Sequence, residues 1–132
     1  MYYIKSKRTI KFNGTPEERY IAKVYRNQDT TLDTIAKEIS HATSMSYPDV
    51  LLALKAFEIH VSNHVMNGSA VKFGTLGAFI PTIKSKAVRT ADEVDDSTIK
   101  RVTCRFYPSA RFKNNMKSAK VEFKDLSKVK YY

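Results

Sequence analysis

The chain has one cysteine in 132 residues, Cys104, so no intrachain disulfide can form. Packing alone must hold the fold, as suits a reducing compartment. No apolar run approaches the roughly 20 residues that a membrane-crossing helix needs. The opening residues Met1-Tyr2-Tyr3-Ile4-Lys5 lack the apolar core of a signal peptide, so a cytoplasmic location is expected. No internal repeat and no low-complexity segment is present. Catalytic constellations are missing too: no nucleophile–base pair and no metal cluster emerges, so neither an enzyme nor a cofactor, metal or small-molecule substrate is expected. His60 and His64 have metal-ligand spacing, but Val61 stands where the zinc-protease pattern needs Glu, and no Cys or carboxylate cluster accompanies them. Asp92, Glu93, Asp95 and Asp96 lack the glycine and terminal Glu of a calcium loop, which leaves a mobile loop tip. Gly74 and Gly77 precede no helix and so do not cradle a phosphate.

What the chain does have is positive charge, formally +10, and it is unevenly spread. Residues 1–30 carry seven Lys/Arg against three acids, and residues 67–86 carry three bases and no acid. Residues 99–132 carry ten bases against Glu122 and Asp125, whereas 87–98 carry Arg89 against four acids. Such clustering is an electrostatic footprint for a polyanion, with a solvated surface as the plainer alternative. Anionic membrane is a poorer match, because only Phe112, Met116 and Val121 could form an inserting face.

The hydropathy pattern predicts an α+β chain with two parts, an N-terminal β-hairpin over 1–29 and a domain over 30–132. Residues 2–12 and 18–26 alternate, joined through a loop of several residues at Asn13-Gly14-Thr15-Pro16. Thr30-Thr31-Leu32-Asp33 starts a helix, with Leu32, Ile35, Ala36 and Ile39 at helical spacing, ending near Ala42-Thr43. Ser46-Tyr47-Pro48-Asp49 starts a second helix that runs to about Met66, where Asn67-Gly68 stops it. That helix is apolar on two sides: Val50, Leu54, Phe57, Val61 and Val65 on one, Leu52, Ala56 and Ile59 on the other. One side can meet its own chain; the other most economically meets a second copy. Val71-Lys72-Phe73 is a short strand, 78–86 a second with Pro81 marking an edge or bulge, and Ile99–Tyr107 the return strand. On the return strand Val102, buried Cys104 and Phe106 share one face; Arg101, Thr103 and Arg105 share the other. A basic helix over 109–120 follows, with Lys113, Lys117 and Lys120 in one stripe, then a short strand at Val121-Glu122-Phe123 and a frayed end at Lys128–Tyr132.

Two segments carry a resemblance. Gly74-Thr75-Leu76-Gly77-Ala78-Phe79 and Phe106-Tyr107-Pro108-Ser109-Ala110-Arg111-Phe112-Lys113, with the helix spacing between Thr31 and Lys120, resemble the bacterial histone-like HU/IHF DNA-binding family. The chain looks most like the HU-like proteins of Bacteroides-type bacteria, which carry an N-terminal strand extension. The resemblance implies two helices, a three-stranded antiparallel sheet with a β-arm, a C-terminal helix, and a homodimer that condenses double-stranded DNA in the nucleoid. It places Lys84, Lys86, Arg89, Lys100, Arg101, Arg105, Arg111 and Lys113 against nucleic acid. It places Leu52, Leu54, Phe57, Ile59, Val61, Phe79 and Phe106 in the dimer interface.

The chain departs from the family at the arm tip. Ala87–Asp96 has four acids and no proline, where the family has basic residues and a wedging proline. Tyr107 and Ala110 also stand where the family usually has basic residues. Two readings follow. One is non-sequence-specific, architectural binding of duplex DNA by a homodimer. The other is a structural or protein-interaction module on the HU fold that has lost DNA bending.

Overall fold

The computed structural model describes residues 1–26 and 28–126, so the expected frayed end lies outside the described residues. The elements are β1 (Tyr2–Phe12), β2 (Thr15–Val24), α1 (Leu32–Ala42), α2 (Tyr47–Met66), β3 (Val71–Lys72), β4 (Gly77–Ser85), β5 (Ile99–Pro108), α3 (Ala110–Lys117) and β6 (Glu122–Phe123). The fold is α+β, with three helices and two three-stranded sheets, ordered β2-β1-β6 and β3-β4-β5. The chain divides into two compact units, Met1–Asp29 with the stretch from Ser118, and Thr30–Lys117.

In the first unit β1 and β2 pair antiparallel from Tyr3↔Val24 to Phe12↔Thr15. The connection is only Asn13-Gly14, shorter than expected. Both have positive φ, 49° and 82°, as a tight hairpin turn requires. Pro16 lies within β2, and because β2 is an outer strand its missing N–H can face the open edge. β6 runs parallel to β1, with Tyr2↔Glu122 and Tyr3↔Phe123. The N-terminal ammonium donates to the Lys120 carbonyl at 2.9 Å and the Lys124 amide donates to the Tyr3 carbonyl at 2.9 Å, which holds that parallel pair.

In the second unit α1 is capped by Thr31, whose hydroxyl accepts from the Thr34 amide. Asp33 is free of capping work and binds Lys37 at 2.8 Å and the Tyr47 hydroxyl instead. Those two partners, Lys37 first, hold the Asp33 carboxyl below its ordinary value; Asp33 in turn raises Lys37 and Tyr47. The trio ties the first turn of α1 to the start of α2. Ser46 caps α2, and Gly68 (φ +86°) ends it as Gly68 and Ser69 amides donate to the Val65 and His64 carbonyls. Val50 (3% exposed) and Ala36 (0%) are the buried hydrophobic residues among those described.

The second sheet is antiparallel throughout, with Val71↔Phe79 on one side of β4 and Phe79↔Phe106 on the other. Gly77 has φ +153° and lies so close to β5 that a Cβ would stand 2.3 Å from the Tyr107 carbonyl oxygen. Phe57, Phe73, Phe79 and Phe106 form an edge-to-face chain at 5.0–5.4 Å that joins α2 to the sheet. Pro81 sits past the end of β3, where β4 has no neighbour on that side. Cys104 is exposed, not buried. It does lie on the apolar strand face, but one chain supplies nothing that covers that face there. α3 is shorter than expected. Ser109 caps it, accepting from the Phe112 amide at 3.0 Å and donating to the Thr75 carbonyl. The helix ends at Lys117, so Lys120 is off it and the expected three-lysine stripe shortens to Lys113 and Lys117.

Candidate nucleic-acid interface

Strand alternation splits β3–β4–β5 into two unlike faces. Phe79, Pro81 and Ile83 pair with Phe106, Cys104 and Val102 on the face toward α2. Ala78, Ile80, Thr82 and Lys84 pair with Tyr107, Arg105, Thr103 and Arg101 on the other. The Thr82 and Thr103 hydroxyls meet at 2.9 Å, which fixes that face's register. β3, β4 and β5 together contain no Asp or Glu.

Lys84 and Arg101 are direct cross-strand partners. Two like charges so placed repel, and a sheet selected only for stability would avoid them. Among the described residues no ion pair involves Lys84, Arg101 or Arg105. The face therefore presents uncompensated cations in a row, with the Thr82–Thr103 pair between them, whose one uncommitted hydroxyl proton can donate to a phosphate oxygen. Lys72 joins them through Lys72↔Ala78. The sequence reading missed Lys72, although the alternation of Val71-Lys72-Phe73 against Ala78 carries the signal.

The other expected contact residues are dispersed. Lys86 and Lys100 stand at the distal end, beside the register shift at Lys84/Ser85, and the Lys86 amide donates to the Thr98 carbonyl at 2.8 Å. Arg89 is exposed in the tip and outside the strands; Arg111 and Lys113 lie on α3. The tip is folded into two short 3-10 turns at Ala91–Glu93 and Asp96–Thr98. Asp95 accepts from the Ser97 amide at 2.9 Å and from its hydroxyl, and that hydroxyl, first among the causes, holds the Asp95 carboxyl below its ordinary value. Thr90 binds Glu93 at 3.1 Å. Among the described residues, Asp92 and Asp96 show no side-chain hydrogen bond or ion pair.

Residues 1–123 match the HU-HIG family, described as an HU domain fused to wHTH, Ig, or glycine-rich motif. The chain belongs to the HU-HIG family. No curated protein matches it. Among solved structures, one from Bacteroides vulgatus ATCC 8482, described as a "Putative bacterial DNA binding protein", aligns with a TM-score of 0.58 at 13% identity. The alignment covers 92% of this chain and 47% of that one, so this HU-HIG chain spans about half the length of its structural neighbour. At that identity the likeness is one of fold. Neither description names an enzyme.

Of the expected interface residues in this HU-HIG chain, Leu54, Val61 and Phe79 are half-buried, while Leu52, Phe57, Ile59 and Phe106 are exposed in the single chain. No helix among the described residues is long and apolar enough to cross a membrane.

Proposed function

We propose that the protein is a nucleoid-associated, architectural DNA-binding protein of the bacterial cytoplasm. It binds double-stranded DNA without sequence preference, as a homodimer in the HU/IHF arrangement, through the cationic face of β3–β4–β5. The observation that carries this reading is the Lys84–Arg101 cross-strand pair, with Arg105 on the same face and no acid on the three strands. The repulsion within the pair is relieved when a phosphate row lies over it, and counterion release then supplies affinity on any sequence. The HU-HIG match and the fold shared with a protein described as DNA-binding support the same conclusion.

A strand-to-phosphate mode needs no arm tip, and here the tip does not favour one. Its acids repel the backbone, and it has no proline to wedge between base steps. Binding is thus expected with little bending. The same tip favours the second reading, an HU-fold interaction module. Replacing Lys84, Arg101 and Arg105 by Gln separates the two. Weaker binding to unrelated duplexes alike supports the DNA reading, and absent binding by the unaltered protein at about 50 mM salt supports the module.

A further inference from the structure

The first unit carries a surface that the duplex reading does not use. On the β2-β1-β6 sheet, the strand register puts Tyr3, Lys5, Lys7 and Lys11 on one face of β1, and Tyr20 opposite Lys7 shares it. Phe123 of β6 completes the face, 5.6 Å from the Tyr3 ring and with the Lys5 ammonium 5.1 Å above it. Tyr20 is 72% exposed. Its ring thus offers an open flat face beside the lysines of β1. The face carries one carboxylate, Glu18, already bound to Lys7 at 2.6 Å. Lys5 and Lys11 have no ion pair among the described residues.

We infer that this face binds single-stranded nucleic acid, with Tyr20 as an open base-stacking station, the Tyr3–Phe123 pair as a second once the Lys5 ammonium swings from the Phe123 ring to a phosphate, and Lys11 as a further phosphate contact. Four residues of strand separate Lys7, opposite Tyr20, from Tyr3, which sets the stations about 13 Å apart. An extended strand can pass over both with its backbone along the lysines. Unpaired bases offer flat faces that such rings can stack on, whereas a duplex hides them, so the aromatic–lysine combination favours single strands. An anionic membrane could also take rings beside lysines, so vesicles are one arm of the test, whereas an acidic peptide would not need the stacked pair. The inference stands on its own observations and survives if the β3–β4–β5 reading fails.

The test uses the full-length chain with three probes: a short labelled oligodeoxythymidine, a duplex of equal length, and phosphatidylserine vesicles. The expected result is that Tyr20→Ala weakens oligodeoxythymidine binding by about ten-fold or more. Tyr20→Phe should retain it, and duplex binding should be unchanged in both variants. Because Tyr20 is so exposed, its replacement leaves the sheet intact, which circular dichroism verifies. Lys84→Gln with Arg101→Gln should give the reverse pattern, weaker duplex and unchanged oligonucleotide binding. The inference is overturned if Tyr20→Ala binds oligodeoxythymidine like the unaltered protein, or if only the vesicles bind in a Tyr20-dependent way.

Discussion

Single residues set several limits on this fold. Gly77 is the clearest: its backbone lies in the region that favours glycine, and a methyl group would overlap the Tyr107 carbonyl and press on the Phe106 ring and the Pro108 Cα. Gly77→Ala should destabilise the protein by about 1–3 kcal/mol from the backbone conformation alone, with the overlap adding to it. A thermal melt lowered by several degrees is the expected outcome, and an unchanged melt would show that the strand start is misplaced. Asp33 is a second case. Its folded pKa is lowered by Lys37 and Tyr47, so its contribution is complete above the unfolded value near 3.8 and is lost as pH falls through the lower folded value. Asp33→Asn should therefore flatten the acid side of a stability-versus-pH curve and, because Asp33 also raises Lys37 and Tyr47, soften the alkaline fall as pH rises through their raised values. The effect is modest, because both charged partners are well solvated. Identical acid limbs for the two proteins would refute the role given to Asp33.

The β4–β5 ladder places Lys84 directly opposite Arg101, at a cost to its own stability. Replacing Arg101 by Ser should make the free protein slightly more stable, by about 0.2–1 kcal/mol, because it removes a like-charge pair. The same change should weaken duplex binding. A loss of both stability and binding would mark Arg101 as structural. The tip works in the opposite sense. Asp92→Asn with Asp96→Asn should tighten duplex binding, most visibly at low salt, where screening is weak; equal affinity would place DNA away from the tip. Asp95 is left out of that variant because it holds the turn at Ser97. Much of this layout was legible in the sequence. Ser46 and Asn67-Gly68 bracket α2 by local chemistry, and the alternation on β5 sorts its arginines from its apolar residues. The pairing of β6 with β1 was not legible, since a parallel contact between the chain's two ends leaves no local trace. Local alternation also says which residues share a face, but not whether anything covers it, which is why Cys104 was misjudged.

Among the described residues, a single chain leaves many large apolar side chains in water. Leu52 is 70% and Ile59 61% exposed on α2, and Val102 and Ile83 are open on the apolar sheet face. Each such side chain costs roughly 1.5–3 kcal/mol when left in water, a large share of a small domain's stability. A second copy is the economical cover. Sedimentation at low micromolar concentration should show a dimer, and a stable folded monomer would refute it. Phe57, about half exposed in one chain, supplies a finer check. Phe57→Ala should cost on the order of 3–5 kcal/mol if a partner encloses the ring and markedly less if none does. DNA binding through the cationic face is tested by duplex affinity against salt for the unaltered protein and for the triple variant Lys84→Gln, Arg101→Gln, Arg105→Gln. Steep weakening with salt in the first, and a slope flatter by about one unit per lost phosphate contact in the second, is the expected result. Affinity indifferent to salt, or an unchanged slope in the triple variant, would contradict DNA binding through this face.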